Sequence, residues 1–393
     1  MYRKAAIVGI GQTDYSTNSG RTDWQLALQA VIPALRDAQV NPSEVDGIIR
    51  YSYDAVTPAM LVRSLGLRDL RFFADVPFGG TASAAVVAQA AAAIASGQAS
   101  VVLVYRSLNE RSGVRYGRAE RNIAVSGADT TVAVTDRSPA GAFSGPYGLL
   151  SPGQVMALWA HRYMYVNGLT EEEVTRTLGT VAVQQRQYAN RNPDAMMRDR
   201  PLDQETYETG RMISTPLRLY DYCLESDGAA AAVLVSADRA RGTRSDAAYV
   251  LSGGQSLTRH AEPVTVYLRD LLEHAPEQAI SRLYEEARIS PQDISVAQLY
   301  DATSIMVPMG LEMYGLAEKG CAWRHILDHG IGPDSPVPVN THGGHLSEAY
   351  VHGMNHVVEA VRQIRGTSPN QVADADHVLF GSGGSSSVIL GRG

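Results

Sequence analysis

The sequence predicts an α/β protein built from two similar halves, and three features lead there. Strand-like and helix-like segments alternate along the chain. Residues 83–96 form a helical stretch that is apolar almost all round, broken mainly by Gln89, and a helix with no polar face must be buried on every side. The run Asn41-Pro42-Ser43-Glu44-Val45-Asp46 resembles Ser290-Pro291-Gln292-Asp293-Ile294-Ser295. Each run follows a helical pattern and leads into a strand, which suggests duplication.

In order, residues 5–11 read as a buried strand, and residues 23–38 as an amphipathic helix with Leu26, Leu28, Ala30, Val31, Ala34 and Leu35 on its apolar side. Residues 45–49 are strand-like. The buried helix 83–96 ends at Gly97, as a C-terminal glycine should, and residues 100–105 form the next strand. In the second half, 247–252 is a strand, 277–287 a helix, 294–299 a strand and 354–365 a helix closed by Gly366. Residues 377–381 and 387–390 are the last strands. The predicted organisation is a first half of residues 1–108 plus 227–245, an insertion of 109–226, and a second half of 246–393. Two helices are expected inside the insertion, near 155–166 and 171–192, where such segments supply substrate lids or subunit contacts.

Bulk properties narrow the function. The 393 residues carry a formal net charge of -7, which argues against nucleic acid or an acidic membrane surface as partner. With no leader pattern and no long apolar stretch, a cytoplasmic protein is expected. Cys223 and Cys321 form neither a metal motif nor a disulfide framework. Lysine occurs only at Lys4, which opens the first strand, and Lys319, beside Glu318, so neither suits a buried Schiff-base amine. Gly9-Ile10-Gly11 lacks the third glycine of a dinucleotide fingerprint, because position 14 is Asp14.

Four motifs in order carry a resemblance. They are Ile94 to Val102, Glu225-Ser226-Asp227-Gly228-Ala229-Ala230-Ala231, Asn340-Thr341-His342-Gly343-Gly344, and Gly381-Ser382-Gly383-Gly384. Together they resemble the thiolase superfamily over nearly the whole chain. The resemblance implies a thiolase fold: two duplicated βαβαβαββ-type halves in a layered α/β/α/β/α core, with a loop-domain insertion. Three departures stand out. The nucleophilic cysteine of that superfamily falls at Gly80, and its second cysteine near Phe380 or Gly381. Its two catalytic histidines are replaced by Tyr300, in Tyr300-Asp301-Ala302-Thr303, and Tyr350, in Ala349-Tyr350-Val351-His352-Gly353. Without a thiol at these positions no thiolase acyl-enzyme can form.

Leu299-Tyr300-Asp301, His342-Gly343-Gly344 and Glu348 to Asn355 are similar to the lipid-transfer-protein-type aldolases of bacterial steroid side-chain degradation, a thiolase-like family without the cysteine. That resemblance implies retro-aldol cleavage of a β-hydroxyacyl-CoA steroid, bearing a 17-hydroxyl and a 20-carboxyl-CoA side chain, to a 17-ketosteroid and propionyl-CoA. It further implies no cofactor beyond the CoA of the substrate, a homodimer, and a heterotetramer with the OB-fold domain of a partner hydratase. Tyr300 and Tyr350 are the expected catalytic groups. Tyr350 is the expected base, favoured by a helix N-terminus just after it, and Tyr300 the proton donor to the enolate, with the reversed roles and a linked proton relay as the alternatives. Supporting candidates are Asp301, His342, His345, His352 and Gly80, the last through a backbone N–H in an oxyanion hole.

Two rival readings remain at this level. His342-x-x-His345 and His352-x-x-x-His356 have metal-ligand spacing, although the expectation is no metal. A non-catalytic acyl-CoA or sterol carrier also fits the lost cysteine, but it leaves unexplained why titratable tyrosines occupy both histidine sites.

Overall fold

The computed structural model describes residues 3–77, 80, 83–113, 115, 145–149, 151–258, 272 and 275–393. Much of the stretch read as the start of the insertion, 114 and 116–144, lies outside the described residues. Nine strands form one sheet among them. They are β1 (Ala5–Gln12), β2 (Gly47–Tyr51), β3 (Phe72–Val76), β4 (Val101–Asn109), β5 (Asp227–Ser236), β6 (Ala248–Gln255), β7 (Val296–Leu299), β8 (His377–Ser382) and β9 (Ser386–Gly391). Their spatial order is β3-β2-β4-β5-β1-β6-β9-β8-β7.

The halves repeat the same plan. β2 runs parallel to β3 and β4, and β5 runs antiparallel to β4 and β1. Correspondingly, β8 is parallel to β7 and antiparallel to β9, and β9 is antiparallel to β6. The halves meet where β1 pairs with β6 through Ala6↔Tyr249 and Ile7↔Ala248. The local echo seen in the sequence is a structural one. Pro42–Glu44 and Pro291–Asp293 are both single 3-10 turns, and Glu44 and Asp293 each accept the backbone N–H three residues back. Each turn then delivers the chain into a strand.

Alternation along the strands builds two cores. Ile48, Val101, Leu103, Ala231 and Val233 face one side, against α1 (Asp23–Asp37). Ile49, Val102, Val104, Ala230 and Ala232 face the other side, against α2 (Ser83–Ala95). The helix read as apolar all round is thus the central one, and it packs on strands of both halves. Its partner in that layer is α7 (Met354–Arg365), which also touches both halves. The insertion helices α3 (Pro152–Asn167) and α4 (Glu171–Arg191) build a third core with Ile305 and Met309, beside α6 (Met306–Met313), while α5 (Glu277–Ala287) packs on β6. The sequence pattern gave no sign of β3, whose burial alternates weakly, or of α6. Among the described residues no helix is long and apolar enough to cross a membrane.

Candidate active site

Tyr300 follows the last residue of β7. Asn340 brackets the residue before it: its Oδ1 accepts from the Leu299 N–H at 2.7 Å and its Nδ2 donates to the Leu299 carbonyl at 2.8 Å. Asn340 does so with a φ of +54°, a left-handed conformation that asparagine tolerates better than most residues. The Tyr300 N–H donates to the Gly381 carbonyl at 2.9 Å, tying the residue to β8. Across the site, the Tyr350 N–H donates to Ser226 Oγ at 3.0 Å. With both backbones fixed, the two phenol oxygens meet at 2.6 Å. Each hydroxyl can donate or accept, so a proton can pass between them in either direction.

The glycines at the expected cysteine positions are explained by bulk. A Cβ on Gly80 would lie 1.8 Å from the Tyr300 hydroxyl oxygen, and one on Gly381 would lie 2.2 Å from Cε2 of Tyr314. Tyrosine rings therefore fill the space that side chains at both positions would need. The Gly80 carbonyl accepts from Ser83 Oγ at 3.0 Å and Ser382 Oγ at 3.1 Å, which pins this backbone to α2 and β8.

The histidines divide into two groups. The His345 ring stands edge-on to both phenols, with centroids 4.8 Å from Tyr300 and 4.9 Å from Tyr350. His352 lies 4.9 Å from Tyr350. His342 is turned away from the phenols, toward His356 at 4.6 Å and Glu348 at 3.6 Å. All of these rings are buried, and burial pushes His345 and His356 down to about 3 and His342 and His352 well below their ordinary value. They are neutral at physiological pH.

Asp301 organises this region instead of pointing into it. Its carboxylate accepts the His345 backbone N–H at 3.0 Å and the His356 Nε2 at 3.1 Å, and His345 Nδ1 stands 3.2 Å from the same oxygen. Gly344, at φ +62°, brings the chain so close that a Cβ there would sit 2.3 Å from Asp301 Oδ2. Burial raises the Asp301 carboxyl to about 6, so it is still ionised at neutral pH. Neither histidine pair of the metal reading survives as a pair. Among the described residues, Asp301, His345 and His356 have ligand atoms within 4.8 Å of one another. Two of these were not linked by spacing in the sequence.

Two expectations change here. Tyr350 was expected to gain phenolate character from the helix after it. That helix begins at Met354, and burial pushes both phenols well above their ordinary value. Both are protonated at rest. Cys223, given no role by its spacing, is a neighbour of both phenols; burial pushes its thiol well above the ordinary value, so it is uncharged, and its N–H donates to the Ala302 carbonyl at 3.0 Å.

Three residues of the site escaped the sequence reading. Glu110 follows β4; it is buried, its Oε2 has no hydrogen-bond partner among the described residues, and it is an electrostatic neighbour of both phenols. Burial, reinforced by Glu225, raises its carboxyl to about 8. Nothing in Asn109-Glu110-Arg111 distinguishes it from surface charge. Ser226, which anchors Tyr350, lies in the Glu225–Ala231 motif, which by itself gives it no role. Arg106 did leave a signal: an arginine inside the apolar run Val101 to Leu108 must be buried, and buried charges are paired. An apolar pocket reaches the Tyr300 ring, lined by Trp159, Leu299, Met306, Met309 and Tyr314.

Comparison with known proteins follows the same lines. Residues 258–390 match the thiolase C-terminal domain-like family. The chain is 40% identical over 393 residues to the 17-hydroxy-3-oxo-4-pregnene-20-carboxyl-CoA lyase of Mycobacterium tuberculosis, covering 99% of each. It is 41% identical over 393 residues to the steroid side-chain-cleaving aldolase of Thermomonospora curvata, covering 98% of this chain and 97% of that one. Among solved structures, the Ltp2-ChsH2(DUF35) aldolase superposes with a TM-score of 0.89 at 38% identity, over 100% of this chain and 98% of the other.

Proposed function

The chain belongs to the thiolase-fold family of steroid side-chain-cleaving aldolases, and on that premise we propose that its tyrosine pair carries a proton relay for retro-aldol cleavage. The substrate is a β-hydroxyacyl-CoA steroid with its hydroxyl on ring carbon 17, and the products are a 17-ketosteroid and propionyl-CoA. The observation that carries this reading is the 2.6 Å hydrogen bond between two buried phenols, one of which fills the space left by a glycine at the nucleophile position.

Tyr350 takes the proton of the substrate hydroxyl while passing its own to Tyr300. The bond between the carbinol carbon and the α-carbon breaks, leaving a ketone and a thioester enolate. In the same concerted movement Tyr300 releases its own proton to the α-carbon as it receives the one from Tyr350, so neither phenol oxygen carries two protons. One proton enters the pair and one leaves, so no phenolate has to exist at rest. This removes the difficulty that burial raises both phenols. Asp301 holds the His345 loop against the pair, and the methionine-lined pocket beside Tyr300 offers an apolar wall to the steroid. A Gly80 N–H in the oxyanion hole remains part of the proposal. The chain acts as a homodimer with a partner domain of the kind named in the similar Ltp2-ChsH2(DUF35) complex, the place that the sequence resemblance gives to an OB-fold domain.

The test is mass spectrometry of products from a 17-hydroxy steroid 20-carboxyl-CoA, with and without that partner domain. The 17-ketosteroid and propionyl-CoA are expected in equal amounts. Tight binding with no products under either condition would leave a carrier of acyl-CoA as the function.

Glu110 sets the expected pH dependence. Its carboxyl, raised to about 8, is neutral below that pH and loses its proton as pH rises through it. A negative charge then appears beside the phenols and the nascent enolate, which destabilises the enolate. The rate constant kcat is expected to fall on the alkaline side with a midpoint near 8, and Glu110→Gln to flatten that limb. A kcat profile from pH 6 to pH 10 on both proteins decides it.

A further inference from the structure

We infer that Arg106 is a positioning residue that holds His352 in its Nε2–H tautomer, as a hydrogen-bond donor to the thioester oxygen when that oxygen takes up enolate charge. The inference deepens the retro-aldol reading and rests on it.

Arg106 Nε stands 3.0 Å from His352 Nδ1. A guanidinium N–H can only donate, so Nδ1 must offer its lone pair and the ring proton must sit on Nε2. The two ring nitrogens diverge, so the N–H is carried on the side of the ring away from Arg106. Arg106 cannot turn aside. Its Nη1 lies 3.2 Å from Asp54 Oδ2 and donates to the Ser107 carbonyl at 3.0 Å. Asp54 is itself held by the N–H groups of Ser107 and Val56, at 2.8 Å and 2.9 Å. Arginine and aspartate are both buried, so this is an internal clamp built between β4 and the loop after β2.

The histidine is equally constrained. His352 adopts φ +50°, a left-handed conformation for a residue with a Cβ, and such strain persists only where surroundings impose it. The Tyr51 hydroxyl donates to its carbonyl at 3.4 Å, and the rings of Tyr51 and Tyr350 flank it at 6.4 Å and 4.9 Å. The result is a donor of fixed orientation beside the phenol pair. A preorganised donor aimed at charge that develops only in the transition state contributes about 10²–10³ in kcat.

Three substitutions and one spectroscopic measurement test this on the full chain. His352→Gln places an amide N–H where Nε2 was and is expected to keep kcat within about tenfold, whereas His352→Asn, which reaches only the Nδ1 position, loses about 100-fold with little change in KM. Arg106→Lys keeps a cation beside Asp54 but removes the Nε donor, and a loss in kcat of about tenfold or more is expected. Nitrogen NMR of protein labelled with ¹⁵N-histidine, with the His352 signal identified by its loss in His352→Gln, should show Nε2 protonated from pH 6 to pH 9 and mixed tautomers in Arg106→Lys. A protonated Nδ1 in the unaltered chain, or equal activity of the Gln and Asn variants, would overturn the inference. The tautomer is read without turnover, so its failure is separable from failure of the retro-aldol reading, which the tyrosine variants test.

Discussion

Tyr300→Phe and Tyr350→Phe should each lower kcat for carbon–carbon cleavage by about 10²–10⁴-fold, the range typical of a lost general acid or base. The expectation follows from the single 2.6 Å link between the two hydroxyls. Removing either oxygen interrupts the same path: without Tyr350 the substrate hydroxyl has no acceptor, and without Tyr300 the enolate carbon has no donor. The two changes are therefore expected to be strongly non-additive. The double variant should lose little more than the worse of the single ones, as is found when residues act as one unit. The fold should tolerate both changes, because both backbones are held by partners that do not involve the phenol oxygen: Gly381 and Asn340 for Tyr300, and Ser226 for Tyr350. Steady-state kinetics on the three variants, with circular dichroism as a control, measures this. Near-full rates in both single variants would end the relay mechanism.

Gly80→Ala should be nearly as damaging, although it adds one methyl group. The new Cβ would stand 1.8 Å from the Tyr300 oxygen and 2.5 Å from Cζ. The side chain at fault is no flexible tip: it is a ring whose backbone is clamped on both sides. Overpacking of this kind costs about 1–3 kcal/mol of stability, and relief here requires the Tyr300 ring to swing off Tyr350. The expected outcome is a folded protein with a lowered unfolding temperature and a kcat reduced by about 10² or more, as for direct loss of the donor. Gly80→Cys should show the same loss and should not acquire thiolase activity, because the thiol would enter space that the phenol already fills. A crystal structure of Gly80→Ala with the Tyr300–Tyr350 hydrogen bond intact would refute the steric argument.

These two expectations are connected. The glycine at position 80 could be read from the sequence only as something missing. In three dimensions it is the other half of the tyrosine: the Tyr300 phenol reaches Tyr350 because nothing projects from residue 80. The same relation holds between Gly381 and Tyr314. A carrier that had merely lost its nucleophile has no evident need for either fit.

Much of the fold was legible because its signals are periodic and local. The apolar helix, the Gly97 and Gly366 stops, and the paired Pro42 and Pro291 turns are set by residues a few positions apart. Short range also explains the reach of the motif reading, which found Tyr300, Tyr350, Asp301 and the His342–Gly344 loop. What local pattern cannot carry is which distant groups share one buried volume. His345 and His356 meet on Asp301 rather than on their sequence neighbours, because α7 and the loop after β7 converge there. Glu110 looks like a surface charge until the strands on either side bury it.

The sequence by itself determined the two-half α/β plan, the glycine at the position of the thiolase cysteine, and the tyrosines at the two histidine positions, since residue type and short-range spacing specify each. Only the tertiary structure decided that both phenols rest protonated, that they are joined to one another, that Cys223 and Glu110 stand beside them, and that Arg106 orients His352. The physical reason is burial. Ionisation and hydrogen-bond direction depend on which groups exclude water from one another, and those groups come from strands and loops up to hundreds of residues apart.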